Sequence, residues 1–167
     1  MFFRSWIFSW KYNSSKNLKL KKLRLILIFH KTLENLKDLD FIGILILRLY
    51  LVQVFFSAGT GKLENFGEFS SWLSNLGFPS SDIFTYLVIA VEVGGAVLLL
   101  LGLFVRWACI PLLATMGVVI FFVHWENGWA QESNGIEMAV TYSIMLLILL
   151  FSGGGRFLSL DYWVSRK

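Results

Sequence analysis

The sequence predicts an all-α integral membrane protein: a four-transmembrane-helix bundle with an N-terminal amphipathic helix at the membrane interface. Of the 167 residues, 56% are hydrophobic and 17% are aromatic, and the mean hydropathy is +0.66. Apolar residues make up only about half of an ordinary soluble domain. Four apolar segments approach the length that crosses a bilayer, and basic residues collect beside them, which is the pattern of a multi-span protein.

Residues 1–40 differ from the rest of the chain and are predicted to form a basic cytoplasmic tail. Within residues 18–39, apolar residues recur at helical spacing with lysines between them, so we expect an amphipathic helix on an anionic lipid surface. Residues 1–17 are interpreted as a solvated tail. The segment holds nine of the fifteen basic residues: Arg4, Lys11, Lys16, Lys19, Lys21, Lys22, Arg24, Lys31 and Lys37.

The membrane domain, residues 41–167, is predicted to contain four spans, at residues 41–58, 82–104, 107–123 and 136–151. At about 1.5 Å per residue, the second span is long enough to cross a hydrocarbon core of about 30 Å, and the other three approach that thickness. The turn between the second and third spans is very short. These two helices are therefore expected to be adjacent and antiparallel.

Residues 59–81 are predicted to be a loop that carries a short interfacial helix, with Trp72 at the level of the lipid headgroups. The sequence GTGK at residues 59–62 lacks the spacing of a phosphate-binding loop and follows a membrane span, so nucleotide binding is not expected. The turn signals in the segment are Gly59, Gly61, Gly67, Gly77 and Pro79.

The distribution of Lys and Arg predicts a bacterial cytoplasmic-membrane protein with both termini in the cytoplasm. With the N-terminus inside, the inner side has thirteen basic residues and the outer side has only Lys62. Cytoplasmic segments of membrane proteins are enriched in Lys and Arg. The net charge of +4 is therefore explained by orientation in the lipid bilayer, and no nucleic-acid partner is expected.

A candidate polar site lies inside the membrane around Glu92. Glu92 is close to the middle of the second span, where a charge is expensive and must face protein or water or be neutral. Arg48 in the first span is about 8 Å away in depth, and an extended arginine side chain covers most of that distance. Two interpretations stay open: Arg48 pairs with Glu92, or Glu92 is protonated and hydrogen-bonded to Gln53 or Tyr50.

A second candidate cluster lies near the outer ends of the spans. Lys62, His124 and Glu137 are predicted at the same level, under the outer loops. They either form one shallow polar cluster or are solvated separately as interface residues.

This layout bears on three possible cofactors. A bis-histidine haem is disfavoured because His30 lies on the cytoplasmic tail and His124 at the outer side. Copper has only weak candidate ligands in His124, Met116 and Met138, since methionines at helical spacing usually fill gaps in a core. A quinone needs an apolar slot with one or two polar groups, which Arg48, Glu92 and Tyr50 could provide.

Four blocks of sequence resemble the DoxX family of small four-span membrane proteins. They are LRLYLVQVFFSAGTGKL, AVEVGGAVLLLLGLFVRW, NGIEMAVTY and GGGRFLSLD. More narrowly, VHWENGW with GGGRFLSLDYW is similar to the HvfX branch, which is associated with maturation or export of copper-binding peptides. The family is linked with a terminal quinol oxidase and with thiol-stress and superoxide-protective complexes. The resemblance implies five charged family positions but no agreed catalytic residue: Arg48, Lys62, Glu92, Arg106 and Glu137.

The function expected from the resemblance is that of an accessory subunit in a redox or metal-handling membrane complex, non-catalytic rather than an enzyme in its own right. Two alternatives are kept. The first is a component of a small-molecule or metal exporter, which would require a homo-oligomer because four short spans leave little room for a pathway. The second is a purely structural partner of another membrane protein.

Overall fold

Every regular element that the computed structural model describes, over residues 24–31, 34, 40–155 and 158–164, is helical. The chain divides into two units, Met1–Asp40 and Phe41–Lys167. The α-helices from residue 40 onwards are α1 (Asp40–Glu64), α2 (Phe66–Asn75), α3 (Ser81–Leu101), α4 (Val105–Val118), α5 (Glu137–Ser152) and α6 (Leu160–Val164).

Three helical segments of the described residues are long and apolar enough to cross a membrane: Phe41–Glu64, Ser81–Leu101 and Val105–Asn127. The last comprises α4 and its continuation. Helix α5 is apolar but has only 16 residues, about 24 Å at 1.5 Å per residue, against a hydrocarbon core of about 30 Å. It coincides with the fourth predicted span, whose crossing of the bilayer stays a prediction.

Helix α1 is longer than the first predicted span. The prediction ended that span at residue 58 and took Gly59 and Gly61 as turn signals, but both residues are helical and α1 ends at Glu64. A Cβ atom added to Gly59 would lie 2.6 Å from Cγ2 of Val93 on α3. The prediction was wrong here because glycine in a membrane helix often serves close helix packing rather than chain reversal.

The core is built by helix pairs that are adjacent in sequence. Helix α3 packs against α4, and α4 packs against α5. A Cβ atom on Gly95 would lie 2.9 Å from Cδ1 of Leu112, so α3 and α4 approach closely at this point. The fully buried apolar side chains among the described residues are Leu51, Phe55, Ala96, Leu99, Val105, Cys109, Leu112, Leu146 and Leu149.

The helical segment that begins with α4 is not α-helical throughout. It passes into a π-helix at Val119–His124 and then into a 3₁₀-helix at Trp125–Asn127. The third span was predicted to end at residue 123, one residue before the end of the π segment. π-helical segments within α-helices are rare and frequently occur at functional sites.

The segment after α5 returns to the tight turn between α3 and α4. The carboxylate of Asp161 accepts hydrogen bonds from the backbone N–H groups of Phe104 (2.7 Å) and Val105 (3.1 Å). The hydroxyl of Ser159 and the backbone N–H of Asp161 both donate to the carbonyl of Gly102, which has a φ of +65°. Asp161 therefore satisfies the first free N–H groups of α4, and its charge suits a helix N-terminus.

The N-terminal unit is described only in part. Residues 24–31 are helical and exposed, and the consecutive residues Leu25 to Phe29 are all apolar. The amphipathic helix predicted over residues 18–39 falls mostly outside the described residues, as does the tail predicted over residues 1–17. Both stay predictions.

The contact of Gly59 with α3 can be tested against Gly61, where an added Cβ meets nothing within 4 Å. We expect Gly59→Ala to destabilise the bundle by about 1–3 kcal/mol, because overpacking forces the two helices apart. Gly61→Ala should be neutral or slightly stabilising, since alanine favours helix. Thermal unfolding in mild detergent measures both variants, and equal stability of the two would contradict the close approach.

Candidate functional site

Glu92 lies at the centre of the site on the buried face of α3. The buried residues of this helix recur at helical spacing: Thr85, Ile89, Glu92, Ala96 and Leu99. The Glu92 side chain is only 2% exposed. The carboxylate therefore faces protein, as expected for an acid in the middle of a span.

Lys62, in the last turn of α1, is the partner of this carboxylate. Its Nζ atom donates to both oxygens of Glu92, at 3.0 Å to Oε1 and 2.8 Å to Oε2. The same ammonium lies 3.5 Å from the carbonyl of Ala58 and 5.5 Å from the centre of the Phe69 ring. The three ammonium protons thus have acceptors, and an aromatic ring lies near the cation.

Arg48 does not pair with Glu92, which corrects one of the two interpretations of the sequence. Its guanidinium donates to the carbonyls of Gly154 (2.6 Å), Leu158 (2.8 Å) and Leu100 (3.2 Å). The side chain is 2% exposed. Arg48 thus ties α1 to the end of α3 and to the segment that follows α5, at the opposite end of the bundle from Lys62.

The alternative partners of Glu92 are also placed elsewhere. Gln53 and Tyr50 are exposed on α1, and the Tyr50 ring lies 6.2 Å from that of Tyr142 on α5. The hydrogen-bond donors at the Glu92 carboxylate come from Lys62. Of the four residues proposed for this site, Glu92 lies at its centre and the other three lie elsewhere. The partner of Glu92 is Lys62, which the sequence had placed in the outer cluster.

A partly open cavity of about 840 Å³ lies next to the Lys62–Glu92 pair. Its wall is mainly apolar, and helix α2 closes part of it. The hydroxyl of Ser70 on α2 donates to the carboxylate of Asp82 and accepts from the hydroxyl of Ser81, both at the start of α3, which holds α2 in place. The aromatic side chains in the wall are Phe55, Phe69, Trp72, Phe78, Phe84 and Tyr142.

His124 lies in the wall of the same cavity. Its Nδ1 atom is buried and has no hydrogen-bond partner. In a continuous α-helix, the eight residues from Met116 to His124 would turn the histidine about 80° away from Met116. The π segment accommodates about one extra residue and reduces this angle to about 20°, which brings His124 to the face that Met116 presents to the cavity.

The outer cluster predicted from the sequence is only partly assembled. Lys62 and His124 both line the cavity, but Glu137 is not among its lining residues. The Glu137 carboxylate instead accepts a hydrogen bond from the backbone N–H of Gln131, at 3.1 Å. The three residues therefore do not form one contact group.

The weak copper candidates His124, Met116 and Met138 all line the cavity. Across the part of the chain that the structure describes, no group of three or more His, Cys, Asp and Glu side chains is arranged to hold a metal ion. Cys109 is buried in the core. One imidazole and two thioethers therefore line the same cavity, and these are groups that can bind a soft metal ion.

Two features of the site were not anticipated from the sequence. One is the Lys62–Glu92 pair, and its signal is present: Arg48, Leu51, Phe55, Gly59 and Lys62 are spaced so that they fall on one face of a long helix. The other is the position of His124 in the cavity wall, which depends on the π segment Val119–His124.

These features define an all-helical membrane protein with several spans, a buried ion pair and an apolar cavity inside its bundle. A family model described as DoxX matches residues 43–125. An uncharacterized protein of Haemophilus influenzae is 33% identical over 112 residues, which covers 65% of this chain and 81% of that protein. The chain belongs to the DoxX family.

Two relatives in Escherichia coli are named as inner membrane proteins. YphA is 30% identical over 123 residues, covering 71% of this chain and 87% of YphA. YqjF is 25% identical over 134 residues, covering 79% of this chain and 99% of YqjF. No solved structure matches the chain.

Removing Lys62 from the ion pair should destabilise the protein more than removing the charge of Glu92. Lys62→Met leaves the buried carboxylate of Glu92 without a cation, which we expect to cost about 3–5 kcal/mol of stability. Glu92→Gln leaves Lys62, whose side chain is 22% exposed and can turn to solvent, so its cost should be smaller. The double variant Lys62→Met with Glu92→Gln should recover part of the loss.

Unfolding of the three variants in detergent measures this order, with Lys62→Arg as a control that keeps the charge. Wild-type stability of Lys62→Met would contradict the pairing.

Proposed function

We propose that this chain is a non-catalytic accessory subunit of a redox or metal-handling complex in the bacterial cytoplasmic membrane, and that its cavity holds a quinone. The single observation that carries the proposal is the cavity beside the Lys62–Glu92 pair. Its volume of about 840 Å³ lies within the range of small-molecule sites, about 300–1,000 Å³. It is partly open and is lined by helices of the membrane domain.

The lining of the cavity supports a flat, lipid-soluble ligand. Ligand sites typically combine an apolar wall with a few polar groups that set the orientation of the ligand. Aromatic side chains such as Phe69, Trp72 and Tyr142 can stack on a quinone ring or meet it edge to face. The charged groups at the wall are hydrogen-bonded to each other, so the chemistry this chain offers is binding rather than catalysis.

The HvfX-like form of the proposal would place soft-metal handling in the same cavity. His124 belongs to the VHWENGW block that carries that resemblance, and Met116 and Met138 line the same wall. Imidazole and thioether groups are ligands that suit copper. Quinone stays the first candidate because the wall is dominated by aromatic and aliphatic side chains.

We further propose four spans with both termini in the cytoplasm. Helix α5 would be the fourth span, since it is apolar and buries Ala139, Leu146 and Leu149. The segments that would then lie outside, residues 65–80 and 128–136, contain no Lys or Arg. The strong excess of basic residues on the other side supports this orientation.

Quinone content tests the ligand. Ala114 is exposed and lines the cavity, whereas Ala90 on α3 is exposed and does not line it. Wild-type protein purified in mild detergent should yield quinone on solvent extraction, detected by absorbance and mass. Ala114→Trp should fill the cavity and reduce the retained quinone at least about fivefold, because the ligand loses contacts worth about 1 kcal/mol or more. Ala90→Trp should retain it.

The same samples are analysed for copper by elemental mass spectrometry. Stoichiometric copper without quinone would favour the metal-handling form. Wild-type protein with neither ligand would contradict the proposed cavity function and favour a structural role.

Topology is tested with reporter fusions. A green fluorescent protein fused after Lys167 should fluoresce, because that end is expected in the cytoplasm. Alkaline phosphatase fused after Asn134 should be active, because that loop is expected outside. An active phosphatase fused after Lys167 would contradict the fourth span.

A further inference from the structure

We infer that the cavity selects an uncharged ring ligand with a hydroxyl or carbonyl group, and that Nδ1 of His124 is the atom that recognises this oxygen. The inference rests on the proposed function, in that it concerns the same cavity. It goes further by naming the polar group of the ligand, its charge and the side chain that specifies it.

The charge of the ligand follows from the ion pair. Lys62 and Glu92 are the charged side chains in the wall, and each already satisfies the other at 2.8–3.0 Å. An anionic ligand would have to draw Lys62 away from a carboxylate that is only 2% exposed. Breaking a buried pair in this way is strongly unfavourable, so an uncharged ligand fits this wall best.

The recognition atom follows from hydrogen-bond satisfaction. Over the described residues, two buried side-chain nitrogen or oxygen atoms have no partner: Nε of Arg48 and Nδ1 of His124. Arg48 does not line the cavity, whereas His124 does. A buried polar atom without a partner is costly, and a ligand oxygen placed in the cavity would remove that cost.

The histidine is suited to either kind of oxygen. A neutral imidazole has one nitrogen that donates and one that accepts, and Nδ1 can take either role. It can therefore donate to a carbonyl oxygen or accept from a hydroxyl. The π segment Val119–His124 supports this assignment independently, because its extra residue is what turns the imidazole to the cavity face.

The inference is tested by calorimetric titration of three matched probes into the full chain in mild detergent: butylbenzene, 4-butylphenol and 4-butylbenzoate. The phenol should bind about 5–10-fold more tightly than butylbenzene, which corresponds to one net hydrogen bond of about 1 kcal/mol. The benzoate should bind no more tightly than butylbenzene.

Variants of the two histidines complete the experiment. His124→Phe should abolish the preference for the phenol and leave butylbenzene affinity unchanged within about twofold. His124→Gln retains a hydrogen-bonding side chain and should keep part of the preference. His30→Phe, at an exposed histidine that is not among the lining residues of the cavity, should change nothing.

Each outcome is decisive. A phenol preference that survives His124→Phe, equal losses for both neutral probes, or tightest binding of the benzoate would overturn the inference. If the phenol preference depends on His124 but no quinone co-purifies, the inference stands and the quinone proposal fails. If quinone is retained equally in wild type and His124→Phe and the phenol preference also survives His124→Phe, the quinone proposal stands and the inference fails.

Discussion

A carboxylate buried within a membrane-spanning helix is the constraint on which the rest of this structure depends. Glu92 is only 2% exposed, and a lone charge at that depth would cost at least about 2.5 kcal/mol. Lys62 neutralises it from a neighbouring helix, which requires α1 to approach α3 closely. Gly59 lies about one turn before Lys62 and permits that approach, because a Cβ atom there would collide with Val93. Helix packing and charge neutralisation are therefore one requirement, met by residues on the same face of α1.

The opposite end of α1 also carries a buried charge, Arg48, which is satisfied by backbone carbonyls instead of a carboxylate. Arg48 and Lys62 are fourteen residues apart, about 21 Å along a helix and nearly on one face. Lys62 meets a carboxylate, whereas Arg48 donates to carbonyls of Leu100, Gly154 and Leu158. Leu100 is in the last turn of α3, and Gly154 and Leu158 lie outside the helices, so these carbonyls lack partners within a helix and are natural acceptors. The two cations thus attach α1 to the remaining helices at two depths, and the planar guanidinium suits several acceptors at once.

Composition and apolar run length were enough to predict the helical membrane fold, and the cost of a buried charge was enough to place Glu92 inside the protein. The partner of Glu92 was missed because glycine was interpreted as a turn signal, which ended α1 six residues too early and put Lys62 in a loop. The position of His124 could not be predicted in the same way. A π segment changes the phase of every residue after it, and nothing in the local sequence VIFFVH specifies an extra residue in the turn. Tertiary packing around the cavity decides it.

In the proposed function, helix pairing by charge and recognition of the ligand are carried by different groups of this bundle. Lys62 and Glu92 are hydrogen-bonded to each other and hold α1 against α3. Among the buried side-chain atoms that the structure describes, the one left unpaired at the cavity wall belongs to a histidine, which can bond a ligand without requiring it to carry a charge. A molecule that reaches a membrane cavity through the lipid must itself be largely uncharged, because a buried ion is costly there. In the proposed arrangement, the charged side chains hold the helices together and the histidine bonds the ligand. This arrangement suits a lipid-soluble ligand.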